Sequence, residues 1–319
     1  MITRRTTLKG LAAGAAALSM PAIVRAQDMP KVKIGMSGWT GFAPLTLAEK
    51  AGLFKEQGVD VETVFISQKD RLAALAAGSI DGVATTVDTQ ILWSTTLPLT
   101  QILILDKSKG GDGVAVRKDI DSFEGLKGKS IACDAAGTTP YFMLAAMLQE
   151  NGMSIKDMDL SVLSPKDAAN AFVAGQFDAA VSYEPYLSTI RNDPDAGTIL
   201  ATTVDYPVVV DTLAFPADTI SEKSDAYAKI VAGYFAALDM LASKPDEANT
   251  IMGERVNLDA QQFADSAKFI AWQDKAANQA YFADGMEAFM KMAVEIQYDN
   301  GVIREKPDLA TLVDASFVS

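Results

Sequence analysis

The residues with the most chemical potential fall at a few fixed places along the chain. Gly137-Thr138-Thr139-Pro140-Tyr141 has the residue types that open a helix, with Thr139 as N-cap and Pro140 as the first helical residue. Free N–H groups and the helix dipole at such a terminus attract oxyanions; the plainer reading is a cap alone. Gly38-Trp39-Thr40-Gly41-Phe42, just ahead of Ala43-Pro44, offers two rings as an apolar wall and adjacent N–H groups for an anion. The plainer reading there is that Trp39 and Phe42 are core. Three acids complete the set. Asp88 follows Thr85-Thr86-Val87, and Glu184 follows Ser182-Tyr183, so both are expected at strand ends facing one cleft with Tyr183. Asp211 interrupts the apolar run VVVDTLAF. A carboxylate there is costly unless a cation or donor satisfies it, and a salt bridge elsewhere is the structural alternative. An anion-accepting turn opposite carboxylates suits a zwitterion or an amine-bearing solute better than nitrate or a simple alkanesulfonate.

The elements that must position these groups show as an internal repeat. ISQKDRLAALAAGSIDGVATT at 66–86 aligns without gaps on LSPKDAANAFVAGQFDAAVSY at 163–183, an offset of 97. Ser67/Ser164, Asp70/Asp167, Gly78/Gly175 and Asp81/Asp178 are among the identities. Each copy reads as a helix, a glycine C-cap and a short buried strand. The preceding segments 33–54 and 129–152 add a strand, a turn and a helix each. Both halves are therefore β-α-β-α-β, which favours two α/β lobes, each a parallel sheet flanked by helices, with a ligand cleft at the strand ends between them. From about residue 222 the chain reads as helical, with Ile230, Tyr234, Leu238 and Leu241 on one stripe, and is expected to cover the first lobe.

Composition narrows the function. The 319 residues contain no histidine, so the commonest general base and every Ser-His or Cys-His pair are missing. The single cysteine, Cys133, excludes an intramolecular disulfide and reads as a buried thiol. Net charge is −13 with a sequence pI of about 4.5, which argues against nucleic acid or an anionic membrane as partner. The N-terminus reads as an export signal, about residues 1–26: paired Arg4-Arg5, the apolar stretch 11–24, and the small-residue site Val24-Arg25-Ala26. The arginine pair with Leu8-Lys9 resembles a twin-arginine signal; an ordinary secretory signal is the alternative. Cleavage removes four cations and leaves −17.

Several segments in fixed order carry a resemblance. They are APLTLAEKAGLFKEQGVDVE (43–62), LAALAAGSIDGVA (72–84), DGVAVRKDIDSFEGLKGKSIA (112–132), the Gly-Thr-Thr turn, FVAGQFDAAVSYEPY (172–186) and DNGVIREKPDLATLVDASFV (299–318). Together they resemble the SsuA/TauA/THI5-like substrate-binding proteins, the NMT1/THI5 group, across nearly all of the chain after the signal. The resemblance implies a type II periplasmic-binding-protein fold. Its lobe one would be 28–114 plus 215–319 and its lobe two 115–214, with crossings near 113–117 and 208–215 forming a hinge. It implies a monomer that captures a small solute of taurine or aliphatic-sulfonate type in the periplasm and delivers it to the membrane permease of an ABC importer. No catalysis and no cofactor are expected; the enzymes of this group depend on histidine and iron. A pyrimidine or other amine-bearing solute, or a sensory receptor of the same fold, remains open. In the family the Gly137-Thr138-Thr139 turn corresponds to a ligand contact. Tyr183-Glu184-Pro185 stands where Trp-Glu-Pro is frequent, which makes Glu184 a scaffold feature as much as a ligand residue.

Overall fold

The computed structural model describes residues 29–319; the expected export signal lies outside the described residues. β1 (Lys31–Met36) leads through α1 (Ala43–Lys50) and α2 (Leu53–Glu56) to β2 (Asp60–Phe65), and α3 (Gln68–Ala76) leads to β3 (Gly82–Thr86). After α4 (Val87–Ser94) and the long β4 (Leu99–Ser108), the chain crosses to a second sheet at β5 (Asp112–Val116). There β6 (Ser130–Cys133), α5 (Thr139–Glu150), β7 (Asp159–Val162), α6 (Pro165–Val173) and β8 (Ala179–Tyr183) repeat the opening pattern, followed by α7 (Tyr186–Arg191) and β9 (Thr198–Thr202). The chain returns at β10 (Val210–Pro216) and ends with α8 (Ser224–Ser243), α9 (Pro245–Glu254), α10 (Ala260–Ala267), β11 (Ile270–Trp272), α11 (Lys275–Ala280) and α12 (Met286–Asp299). Among the described residues, no helix is long and apolar enough to cross a membrane.

The first sheet runs β11-β4-β10-β3-β1-β2 and the second β7-β6-β8-β5-β9. β1 pairs in parallel with β2 and β3, and β6 with β7 and β8, as the repeat requires. Next to each parallel trio lies an antiparallel strand that has crossed from the other half, β10 beside β3 and β5 beside β8. The sheets are therefore mixed rather than purely parallel, because each crossing strand enters against the direction of its host. The changeovers fall at residues 109–111 and 203–209. The expected lobe boundaries, 114/115 and 214/215, lie inside β5 and β10. Gly113, at the expected hinge, is a strand residue on which a Cβ would meet the Ala201 carbonyl at 2.9 Å.

The repeated units match in detail. Gly78 and Gly175 take φ of +67° and +81° just after α3 and α6 end, a conformation that only glycine adopts without cost. Asp81 accepts the Lys33 amide at 2.8 Å and Asp178 accepts the Ser130 amide at 2.9 Å, so each copy ties its last strand to the first strand of its own sheet.

The helical tail divides its work. α8 buries Tyr227, Ile230 and Tyr234 against the first sheet and its helices, and Gly233 lets it approach Phe54 of α2. Leu238 and Leu241 are only partly buried. α12 departs from expectation: Met290, Ala293 and Val294 join the apolar cluster of α5 and the second sheet. Cys133 is buried and unpaired at the end of β6.

Candidate functional site

A cavity lies where the strand ends of both sheets and the two crossing strands converge. Trp39, Phe42 and Tyr183 supply its aromatic walls; the edge of Tyr183 meets Trp39 with ring centroids 5.6 Å apart. Gln68 and Arg71 enter from α3, Thr85 and Thr86 from the end of β3, and Thr139 from the start of α5. Asp112 and Asp211 enter from the two crossing strands.

These two acids are equivalent. Asp112 is paired with Tyr183, and Asp211 with Thr86, the residue 97 positions earlier in the repeat. Each sheet thus presents an aspartate where a crossing strand meets the end of its third strand. Both are buried, and one oxygen of each, Oδ2, has no partner among the described residues. Burial pushes the Asp112 carboxyl up to about 8, helped by the negative field of Asp106, Glu184 and Asp88. Burial and then Asp106 and Asp112 hold the Asp211 carboxyl well above the usual range. Asp106 stands across the strand pair from Asp211, fully buried, and accepts the Trp39 indole N–H at 3.1 Å through Oδ1. Gly41 is the residue that permits this: a Cβ there would overlap the Asp106 carboxylate and the indole nitrogen.

Arg71 is the cation of the cavity and is 1% exposed. Its Nη1 donates to the Ala84 carbonyl at 2.6 Å, and Nε and Nη2 donate to that of Ile66 at 3.3 and 3.1 Å. A guanidinium has five N–H donors, so one remains on each terminal nitrogen. Burial lowers its pKa to about 10, which keeps it charged at neutral pH.

The sequence-predicted residues part company here. Trp39, Phe42, Thr139, Tyr183 and Asp211 line the cavity. Thr40 and Gly41 do not: the Thr40 hydroxyl bonds that of Ser266 at 2.6 Å, and the Gly41 carbonyl accepts from the Trp272 indole at 2.9 Å. The helix cap sits one residue earlier than expected, at Thr138, whose hydroxyl turns back to the Ala135 carbonyl at 2.8 Å. That frees the Thr139 hydroxyl to meet Thr86 at 2.8 Å and Gln68 at 3.0 Å. Gly137 and Asp88 line a neighbouring small cavity under α12, where burial raises the Asp88 carboxyl to about 6. Glu184 turns away: it pairs with Arg191 at 3.1 Å and accepts the Ser188 amide at 3.2 Å. Arg191 also donates to the Gly110 carbonyl at 2.6 Å, so this acid fastens a crossing. Arg71, Asp106 and Asp112 were missed. Arg71 replaces the Ala168 of the second copy, a difference visible in the aligned repeat. Asp106 closes the apolar run Ile102–Leu105 and is followed by Lys107-Ser108-Lys109, so it reads as an ordinary strand end rather than as an interruption like Asp211.

A model of the NMT1-like family matches residues 25–253. The chain belongs to the NMT1-like family. Among similar proteins, one of Brucella abortus named as a binding protein is 26% identical over 263 residues, 81% of each chain. The taurine-binding periplasmic protein of Escherichia coli is 27% identical over 165 residues, 51% of each chain. Of solved structures, the alkanesulfonate-binding protein SsuA from Xanthomonas axonopodis pv. citri, bound to MOPS, superimposes with a TM-score of 0.74 at 17% identity, covering 91% of this chain and all of that one. The NMT1-like chain therefore has the two-lobed periplasmic-binding-protein fold, and its relatives support a substrate-binding role.

Proposed function

We propose that this chain is the exported, periplasmic substrate-binding component of an ABC importer, and that it captures a small zwitterion of taurine type between its lobes. The observation that carries the reading is the polarity of the cavity. Among the described residues Arg71 keeps two free N–H donors, and Asp112 and Asp211, which line the same cavity, each keep an unpartnered oxygen. An anionic group would meet Arg71, and an amine would meet Asp112 and Asp211 and favour their ionised forms; a buried charge is stabilised by such partners. The protein is read as a carrier, a monomer that hands its solute unchanged to a membrane permease: with no histidine in the chain, no nucleophile is paired with an imidazole base.

The three aromatic walls favour one second reading, an amine-bearing pyrimidine in place of taurine. Isothermal titration of the mature protein with taurine, ethanesulfonate and an aminopyrimidine separates them. Taurine is expected to bind at least roughly tenfold more tightly than ethanesulfonate, the worth of one charge-assisted hydrogen bond. Equal affinities would remove the amine from the argument. Asp211→Asn is expected to weaken taurine roughly tenfold to 150-fold with the fold retained.

A further inference from the structure

We propose that Asp106 and Asp211 share one proton, and that Asp106 is a positioning residue that takes this proton when a cationic group meets Asp211 in the cavity. The two residues are direct partners across β4 and β10, both are buried, and each has one carboxyl oxygen without a partner among the described residues. Two adjacent buried carboxylates do not both ionise; one proton held between them removes the repulsion and supplies a hydrogen bond.

The surroundings decide where that proton goes. Trp39 donates to Oδ1 of Asp106, which makes Oδ1 the accepting oxygen and leaves Oδ2, without a partner among the described residues, as the oxygen that can carry the proton. From the other elements the pair is faced by Asp112 of β5, Asp88 of α4, Arg71 of α3 and Tyr234 of α8. The Tyr234 hydroxyl is committed to the Leu105 carbonyl, and Arg71 to two main-chain carbonyls, so neither neutralises Asp106. In the empty protein the indole bond favours a charged Asp106, with Asp211 carrying the proton. When an amine approaches Asp211, the O–H bond at Asp211 breaks and one forms at Oδ2 of Asp106. Asp211 is then an ionised acceptor, held in place by Asp106 O–H on one side and the amine on the other. No proton is gained or lost by the site. The amine arm of this inference rests on the proposed function; the shared proton does not.

The test has two arms. Infrared spectra of the ligand-free protein at neutral pH are compared with those of Asp106→Asn. Both carry Asp112→Asn as background, because Asp112 is itself protonated at neutral pH; a protonated-carboxyl C=O band that is present with Asp106 and lost in Asp106→Asn is expected, and a background protein without the band overturns the shared proton, whatever the ligand. In the second arm taurine is titrated into wild type, Asp106→Asn, Asp106→Leu and Asp211→Asn. The side-chain amide introduced by Asp106→Asn can accept from Trp39 and donate to Asp211, as a protonated aspartic acid does, so this variant is expected to bind close to wild type. Asp106→Leu and Asp211→Asn are expected to lose roughly tenfold or more. Equal losses in Asp106→Asn and Asp211→Asn would make Asp106 a plain counter-ion and overturn the relay. A wild type that binds neither taurine nor another amine would overturn the proposed function and with it the relay, while the infrared arm still decides the shared proton.

Discussion

The two copies of the repeat share a backbone plan but not a task. In the first copy, α3 and β3 place Gln68, Arg71, Thr85 and Thr86 on the cavity; in the second, α6 and β8 place only Tyr183 there. The cause lies in a handful of positions. Where the first copy buries Arg71 to bind the carbonyls of Ile66 and Ala84, the second has Ala168, and the Ser182 hydroxyl reaches the Pro165 carbonyl at 2.8 Å. The elements common to both copies, the positive-φ glycines and the strand-tying aspartates, hold the scaffold. The elements that differ hold the polar chemistry.

The largest expected effect tests that division at Arg71. Arg71→Leu strands two buried main-chain acceptors of charge-assisted hydrogen bonds, so stability is expected to fall by about 3 kcal/mol. Ala168→Ser, at the matching site, is expected to change it by less than about 1 kcal/mol. Urea midpoints of the two variants measure the contrast; similar losses would deny the first copy its special role.

Next comes pH. The folded Asp112 titrates near 8, above the roughly 3.9 of an unfolded aspartate. Its stabilising contribution is therefore complete below the unfolded value and is lost as pH rises through about 8. Each such proton gives stability a slope of about −1.4 kcal/mol per pH unit across that window. Asp112→Asn is expected to remove one such increment from the slope of the ligand-free protein, read from denaturation at several pH values. Asp178 behaves in the opposite sense: its hydrogen bonds to Ser130 hold its carboxyl below the usual range. Its contribution is present above the unfolded pKa and fades as pH falls through the folded one.

How much of this could be read from residue order alone follows from the kind of interaction involved. The repeat, its glycine caps and the two sheets were legible because they depend on local periodicity and φ. Asp211 was legible because an acid in an apolar run is conspicuous. Asp88 and Glu184 were expected in the cleft from their places at strand ends, yet what fills the equivalent positions is Asp112 and Asp211, one from each crossing strand. Their convergence depends on which strand inserts beside which, a long-range pairing with no local signature. Glu184 was drawn away by Arg191, seven residues on, a partner that α7 places beside it.

Smaller effects sharpen the scaffold side of the comparison. Asp81→Ala and Asp178→Ala should each cost about 1 kcal/mol, and Asp81→Ala somewhat more because it also pairs with Lys223 at 3.1 Å. At the exposed ends of β2 and β7, Phe65→Ser and Val162→Ser should both lie within roughly 1 kcal/mol of wild type. Phe65→Ser should be the larger, since Arg255 stacks over that ring at 4.2 Å. Thermal unfolding of the four variants ranks them; a larger loss at Val162 than at Phe65 would contradict the ranking.

The exchange of crossing strands also dictates an order of events as the chain is made. All five strands of the second sheet lie within residues 112–202 and emerge in one uninterrupted run. The first sheet must wait, because β10, which fills the place between β3 and β4, is made only after the second sheet is complete. Until then β3 and β4 hold bare edges, the kind of surface that invites wrong pairing between chains. Hydrogen-exchange labelling during refolding is expected to protect β6 and β8 before β3, and a fragment ending near residue 203 is expected to aggregate through the bare strand edges of its first half.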